Sequence, residues 1–224
     1  MSNIAVIQFP GTNCDLDTQY AFEKLGCNTT VVWHKETKLP PKTDLVVLAG
    51  GFSYGDYLRS GAIAQFSPIM KTIMAYAEDG GKILGICNGF QILTEVGLLP
   101  GALKRNIGLH FISKFQTLKV ENNNNIFLQK YSKDEILNIP IAHADGNYYI
   151  DEEGYKKLEE NQQILLRYSD TYGNRTVVNG SITSIAGICN SEKNVFGLMP
   201  HPERAIENIL GSIDGVKMLE GLVA

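Results

Sequence analysis

At 224 residues, 44% of them hydrophobic and 20% charged, the chain is long enough to bury a substantial core as one domain, residues 1–224. Its net charge of −4 argues against a basic nucleic-acid platform, and no run approaches the roughly 18 apolar residues of a membrane-spanning helix. The start, M-S-N-I-A-V-I-Q-F-P, lacks the basic region of a signal peptide, so a cytoplasmic protein is expected.

Ile4 to Phe9 is a short apolar run ended by Pro10-Gly11, the pattern of a strand buried on both faces. Asp15 to Leu25, with apolar Leu16, Tyr20, Phe22 and Leu25, suits a helix closed by Gly26. Thr29 to Trp33 reads as a second strand, and Asp44 to Ala49 as a third that stops at Gly50-Gly51. Ser67-Pro68 offers an N-cap and a first-turn proline for a helix to Glu78, and Lys82 to Ile86 is a fourth strand. This alternation predicts an α/β fold: a mostly parallel central sheet with helices on both faces, of flavodoxin-like type. Ligands then sit beyond the carboxyl ends of the strands, where the loops after Phe9, after Ala49 and at Cys87 share one edge.

From about residue 108 the pattern turns antiparallel. His110 to Val120 alternates in part, and Glu121 to Asn125 reads as a turn or hairpin tip. Ile139–His143, Gln163–Tyr168, Ser184–Cys189 and Asn194–Met199 read as further strands, the last ending in Pro200-His201-Pro202. Ala205 to Leu222 is predicted helical with a break near Gly211-Ser212. No linker or internal repeat divides the chain.

The four cysteines, Cys14, Cys27, Cys87 and Cys189, form no C-x-x-C pair, which fits neither a zinc site nor a disulfide framework. Cys27 and Cys189 read as buried thiols. Cys87 differs. Gly85-Ile86-Cys87-Asn88-Gly89 has the shape G-x-nucleophile-x-G, in which a sharp strand-to-helix turn leaves no room for side chains beside the nucleophile. Such a turn lifts the sulfur out of the sheet to the N-terminus of the helix starting near Asn88, where the thiolate is favoured. On this pentapeptide alone, an inert cysteine between incidental glycines stands as an equal alternative.

A nucleophilic thiol needs a base. His201, in L-M-P-H-P-E-R, follows an apolar strand, and Pro202 keeps it out of the helical region. Glu203 falls on the same side if the chain stays extended, and could then fix the imidazole tautomer. His143, in I-A-H-A-D-G, is the rival base, although its strand context suits a structural or substrate-side role; His34 and His110 carry no supporting pattern. Gly50-Gly51 lets backbone approach a tetrahedral centre without a Cβ in the way, so the N–H groups of Gly51 and Asn88 are the expected oxyanion donors.

The ordered set G-x-C-x-G-x-Q at 85–91, A-G-G at 49–51 and H-P-E at 201–203 resembles the class I (triad) glutamine amidotransferases. Within that family, F-P-G-T-N-C-D at 9–15, A-G-G-F-S-Y-G-D-Y-L-R-S-G-A-I-A at 49–64 and G-L-M-P-H-P-E-R at 197–204 look like its purine-biosynthetic branch, and the likeness spans the chain. One departure is Val178, where proline usually precedes N-G-S. The resemblance implies hydrolysis of glutamine to glutamate and ammonia through a thioester on Cys87, with His201 and Glu203 completing the triad. It places Gln91, Gly50 and Phe52 against the substrate. It also implies delivery of the ammonia to a separate ATP-dependent subunit that makes formylglycinamidine ribonucleotide, with or without a small bridging subunit. Neither G-x-x-x-x-G-K-[ST] nor G-x-G-x-x-G occurs here, so ATP and magnesium are expected on the partner, and no cofactor or metal on this chain. The alternatives are a stand-alone γ-glutamyl cysteine hydrolase and an amidotransferase subunit for another acceptor.

Overall fold

The computed structural model describes residues 1–223. The chain runs β1 (Asn3–Gln8), α1 (Asp15–Lys24), β2 (Asn28–Trp33), β3 (Leu45–Leu48), α2 (Pro68–Glu78), β4 (Lys82–Ile86) and α3 (Asn88–Glu95). It continues through β5 (Ala102–Lys104), β6 (Ile112–Val120), β7 (Ile136–His143), β8 (Asn147–Tyr149), α4 (Glu152–Glu160), β9 (Ile164–Tyr168), β10 (Ile185–Cys189), β11 (Val195–Leu198) and α5 (Val216–Val223).

Nine strands form one sheet in the order β2-β1-β3-β4-β11-β10-β9-β6-β7, and β5 pairs with β8 apart from it. From β2 to β11 all neighbours are parallel; from β11 to β7 all are antiparallel. The crossover through α1 carries the chain from β1 outward to β2, and that through α2 carries it the other way, from β3 to β4. Right-handed crossovers in these two opposite directions put the two helices on opposite faces. The central strands are therefore wrapped on both sides, which is why β3 and β4 are apolar without alternation: β3 is buried at every residue. One hydrophobic cluster runs from Ile4 and Val6 through Leu48 and Phe90 to Leu118, Leu166 and Leu219, so parallel and antiparallel parts share a core.

Several expectations change. The helix predicted over Ala205 to Leu222 is α-helical only as α5; Gly211 takes φ 97° and Glu207 bridges Ser212, so the preceding stretch is a chain of turns. Tyr20 and Leu16 face solvent on α1, whose buried side is Asp15, Thr18, Ala21 and Phe22. Pro68 does open α2, but the Ser67 hydroxyl does not cap it; that oxygen meets the Tyr54 hydroxyl at 2.9 Å. The asparagine run is the turn expected, held by its own amides: Asn125 Oδ1 accepts from the Phe127 and Leu128 N–H groups. Among the described residues, no helix is long and apolar enough to cross a membrane.

Candidate active site

The three loops do meet at one sheet edge. Gly50 O accepts from the N–H groups of Asn13 and Cys14, tying the loop after β1 to the end of β3. Asn88 Oδ1 accepts from the Ser53 N–H, tying β3's loop to the start of α3.

Cys87 stands between β4 and α3 with φ 50° and ψ −102°, a conformation that non-glycine residues rarely adopt and that neighbouring structure must impose. Its N–H donates to Leu198 O at 2.8 Å, while on the other side α3 packs tightly on β3. A Cβ at Gly89 would lie 1.9 Å from Leu48 O, and one at Gly85 would lie 2.7 Å from Gly89 C. Both glycines are thus required by close backbone approach, and the inert-cysteine alternative leaves that strain without a reason. The thiol is buried, with Sγ 3.5 Å from Ala142 O on β7.

His201 arrives from the end of β11, its N–H bound to Pro140 O at 2.8 Å. Its Nδ1 lies 2.6 Å from Glu203 Oε1, and both residues are only 2% exposed. The backbone from Pro202 to Arg204 is a tight 3-10 turn and not the extended chain expected, so Glu203 reaches the ring by curling back beneath it. Burial pulls the imidazole down, but the Glu203 carboxylate and the neighbouring Cys87 outweigh it and hold the His201 pKa well above its ordinary value. Nε2 has no partner of good geometry, although the Cys14 and Cys87 thiols both lie close enough to interact with the ring. Loose contacts of this kind are usual where the substrate is absent. Cys87 and His201 therefore line one cavity, and the Glu203 bond on Nδ1 leaves Nε2 as the uncommitted ring nitrogen.

His143 is bound elsewhere. Its Nδ1 meets Asn106 Oδ1 at 3.1 Å, and burial, then the charge of His201, pushes its pKa down to about 4. A neutral imidazole locked to Asn106 is structural. His34 is likewise engaged by the Tyr54 hydroxyl at 2.8 Å, and His110 by Gly108 O.

A cavity of about 240 Å³ opens over the thiol, lined by Asn13, Cys14, Gly51, Phe52, Cys87, Phe111, Ser113, Ala142, His201 and Arg204. That volume suits one small molecule. Gly51 lines it at φ 147°, where a Cβ would strike Asn13 N at 2.7 Å; its N–H is taken by no acceptor among the described residues. Asn88 is the first residue of α3, and its N–H has no upstream helical carbonyl to reach. Both donors are thus free at the rim of the elbow.

Phe52 lines the cavity, beside the Phe111 ring at 6.3 Å. Gly50 and Gln91 do not. Gly50 packs behind the imidazole, where a Cβ would stand 2.8 Å from His201 Cε1. Gln91 accepts from Asn88 Nδ2 and donates to Asp145 O at 2.8 Å, which makes it a brace for the elbow. Sequence reasoning missed Phe111, Ser113 and Ala142, which come from β6, β7 and the segment before them. Cys14 and Arg204 stand inside quoted motifs without having been assigned a role. A larger cleft of about 660 Å³, lined in part by Leu98, Ile150, Lys157 and Gln163, has neither cysteine nor histidine in its lining.

The loop from Ser53 to Ser60 flanks the mouth and is unusually contorted: Tyr54, Asp56 and Leu58 all have positive φ. Arg59 anchors it with a paired contact to Glu95, Nε to Oε1 at 2.7 Å and Nη2 to Oε2 at 2.5 Å. Asp56 Oδ1 is buried without a partner. Burial first, and the Asp145 charge after it, push this carboxyl up to about 6 against a favourable contact from Ser60. A raised carboxyl pKa means that the folded chain binds the proton more tightly than the unfolded one. Stability is therefore gained as pH falls through about 6 and forfeited above it. Asp56→Asn is expected to stabilise the free chain by roughly 1–2 kcal/mol at about pH 8 and by almost nothing at about pH 4. Urea titration at the two pH values checks this, and an equal gain at both would refute it.

A strained strand-to-helix elbow carrying cysteine, with a histidine–glutamate pair from a neighbouring parallel strand, is the architecture of a class I glutamine amidotransferase domain. The sequence profile of the CobB/CobQ-like glutamine amidotransferase domain matches residues 1–218. The chain is 66% identical over 220 residues to the phosphoribosylformylglycinamidine synthase subunit PurQ of Sulfurimonas denitrificans, covering 98% of each. Its fold matches a chain in the structure of PurLQS from Thermotoga maritima with a TM-score of 0.88 and 43% identity, over 99% of this chain and 97% of that one. A glutamine amidotransferase from the same organism shares the fold alone, with a TM-score of 0.59 and 16% identity over 99% of this chain and 90% of that one. The chain belongs to the CobB/CobQ-like glutamine amidotransferase family, on the branch of the PurQ subunits.

Proposed function

We propose that this chain is the glutaminase subunit of a phosphoribosylformylglycinamidine synthase, acting in the cytoplasm, with Cys87, His201 and Glu203 as its triad. The observation that carries the reading is the Glu203–His201 pair at 2.6 Å facing the strained Cys87 elbow across a cavity of about 240 Å³. Cys87 Sγ attacks the side-chain amide carbon of glutamine, and the oxyanion that forms takes the N–H groups of Gly51 and Asn88. His201 gives its proton to the departing ammonia, leaving a γ-glutamyl thioester. Water then adds to the thioester carbon with His201 as base, and glutamate leaves as the sulfur is restored. Glu203 holds the proton on Nδ1 throughout, so that Nε2 is the working nitrogen.

Ammonia near neutral pH is mostly ammonium, which is not nucleophilic, so it must pass to its acceptor before it equilibrates with water. The partner is an ATP-dependent synthetase subunit that converts formylglycinamide ribonucleotide to the amidine, and that subunit would hold the ATP and magnesium. Docking uses the face around the cavity mouth, including Phe52 to Arg59. There Tyr57 and Leu58 are 75% and 85% exposed, more apolar surface than a solvated loop needs. Adding the synthetase with its nucleotide substrates is expected to raise glutamine turnover by at least about tenfold, since domain closure commonly completes such sites. Turnover by the free chain that is already complete and unmoved by the synthetase would count for the stand-alone hydrolase instead.

A further inference from the structure

Asn88 follows the nucleophile and is fully buried, yet only its backbone N–H enters the chemistry above. Its side-chain amide joins two segments. Oδ1 accepts from the N–H of Ser53, two residues past Gly51, at 3.1 Å, and Nδ2 donates to Gln91 Oε1, one turn along α3, at 2.9 Å. Gln91 Nε2 in turn donates to Asp145 O at 2.8 Å. The Asp145 carboxylate accepts from Ser60 Oγ at 2.7 Å and from Arg105 Nη1 at 3.0 Å. Ser53 and Ser60 bound the contorted loop at the cavity mouth, so the bonds through Asn88, Gln91 and Asp145 close a ring across its two ends. Arg59 adds another tie from the loop to Glu95, the last residue of α3.

These bonds have one possible direction. The Ser53 N–H can only donate and the Asp145 carbonyl can only accept, so Asn88 must turn its oxygen to the first and Gln91 its nitrogen to the second. Reversing either amide would set two donors or two acceptors face to face among buried groups. The Ser53–Asn88 bond also spans the two oxyanion donors, because it ties the loop that carries the Gly51 N–H to the residue that carries the second N–H. We propose that Asn88 and Gln91 are positioning residues for the oxyanion hole: their side-chain amides form one directional chain that fixes the Gly51 N–H relative to the Asn88 N–H. Donors of this kind act only when aimed at the place where the negative charge develops, and a displacement of about 1 Å is enough to cost roughly a hundredfold in rate. The same bonds hold the loop from Ser53 to Ser60 against α3, which makes the oxyanion hole sensitive to the loop that meets the synthetase. The catalytic part rests on the reading of this chain as a glutaminase; the hydrogen-bonded tie between loop and helix does not.

The test uses the full chain in complex with the synthetase, with circular dichroism to show that each variant is folded. Asn88→Ala and Gln91→Met, the second keeping the shape of the side chain without its bonds, should each lower kcat for glutamine by about 10²-fold and leave KM within about twofold. The double variant should fall no more than about twofold below the less active single one, since a chain cut once is already open. Amide hydrogen exchange of the free chain, read on the peptide spanning Gly51 to Ser60, should quicken at least about tenfold in Gln91→Met, although the substituted residue lies on α3. A raised KM with kcat held would make Gln91 a substrate contact and overturn the proposal. So would a parental kcat in Asn88→Ala, additive losses in the double variant, or loop exchange unmoved by Gln91→Met. Quickened exchange, with the parent complex hydrolysing no glutamine, would support the tie and sink the glutaminase reading instead.

Discussion

Cys87→Ala is expected to lower glutamine hydrolysis by about 10⁵-fold or more, to the background left by binding and the oxyanion donors alone. The size follows from position. The elbow at φ 50° and the close approach of Gly89 to Leu48 O hold one sulfur over the cavity, and no other thiol sits on that strained turn. Cys14 sits in the loop after β1, at the N-cap of α1, and not on the elbow that the Asn88 N–H follows, so it is not expected to substitute. Two measurements accompany the rate. The γ-glutamyl adduct should be found on the Cys87 peptide of the parent chain by mass spectrometry, and on no peptide of the variant. In complex with the synthetase, the variant should still support amidation when an ammonium salt replaces glutamine, because the acceptor chemistry lies on the other chain. Wild-type hydrolysis by Cys87→Ala would end the assignment.

Glu203→Gln should cost about 10³–10⁴-fold in kcat, with KM for glutamine nearly unchanged, because Glu203 touches the imidazole and not the cavity. The Oε1–Nδ1 contact of 2.6 Å fixes both the ring's orientation and its tautomer, and a neutral amide can present a donor to Nδ1 and reverse that tautomer. The carboxylate is also one of the groups that hold the His201 pKa up against burial. Removing its charge must therefore move the pKa down, and the limb of the pH–rate profile that belongs to the Cys87–His201 pair moves to lower pH with it. A purely structural role for Glu203 would lower activity without moving that limb. Glu203→Asp, which keeps the charge on a shorter arm, should recover part of the rate and return the limb toward its original position.

Much of this was readable in the chain itself, for local reasons. Ile4–Phe9, Asp44–Ala49 and Lys82–Ile86 are apolar without alternation because strands covered on both faces have no solvent side to encode. Gly85 and Gly89 flag the elbow because only the smallest side chain survives a 1.9 Å approach of backbone oxygen. Pro202 marks His201 as non-helical, and the nearness of Glu203 along the chain is enough to make the pair, although by a 3-10 turn and not by the extended geometry expected.

What the sequence could not decide depends on partners distant along the chain. The stretch from Ala205 has helical composition, yet Gly211 packs against the Phe115 ring and Glu207 bridges Ser212, and these contacts keep it in turns until α5. Gln91 carries a polar head that could meet a substrate as well as any; Asn88 and Asp145 take it up first. Cys14, Cys87 and His201 come together through the pairing of β1 with β3, β3 with β4 and β4 with β11. Composition and turn chemistry determined which strands and which elbow would form, since those are set by each residue's immediate neighbours. Only the tertiary structure decided which side chains share the cavity, since that is set by the strand order, to which no short window of sequence is sensitive.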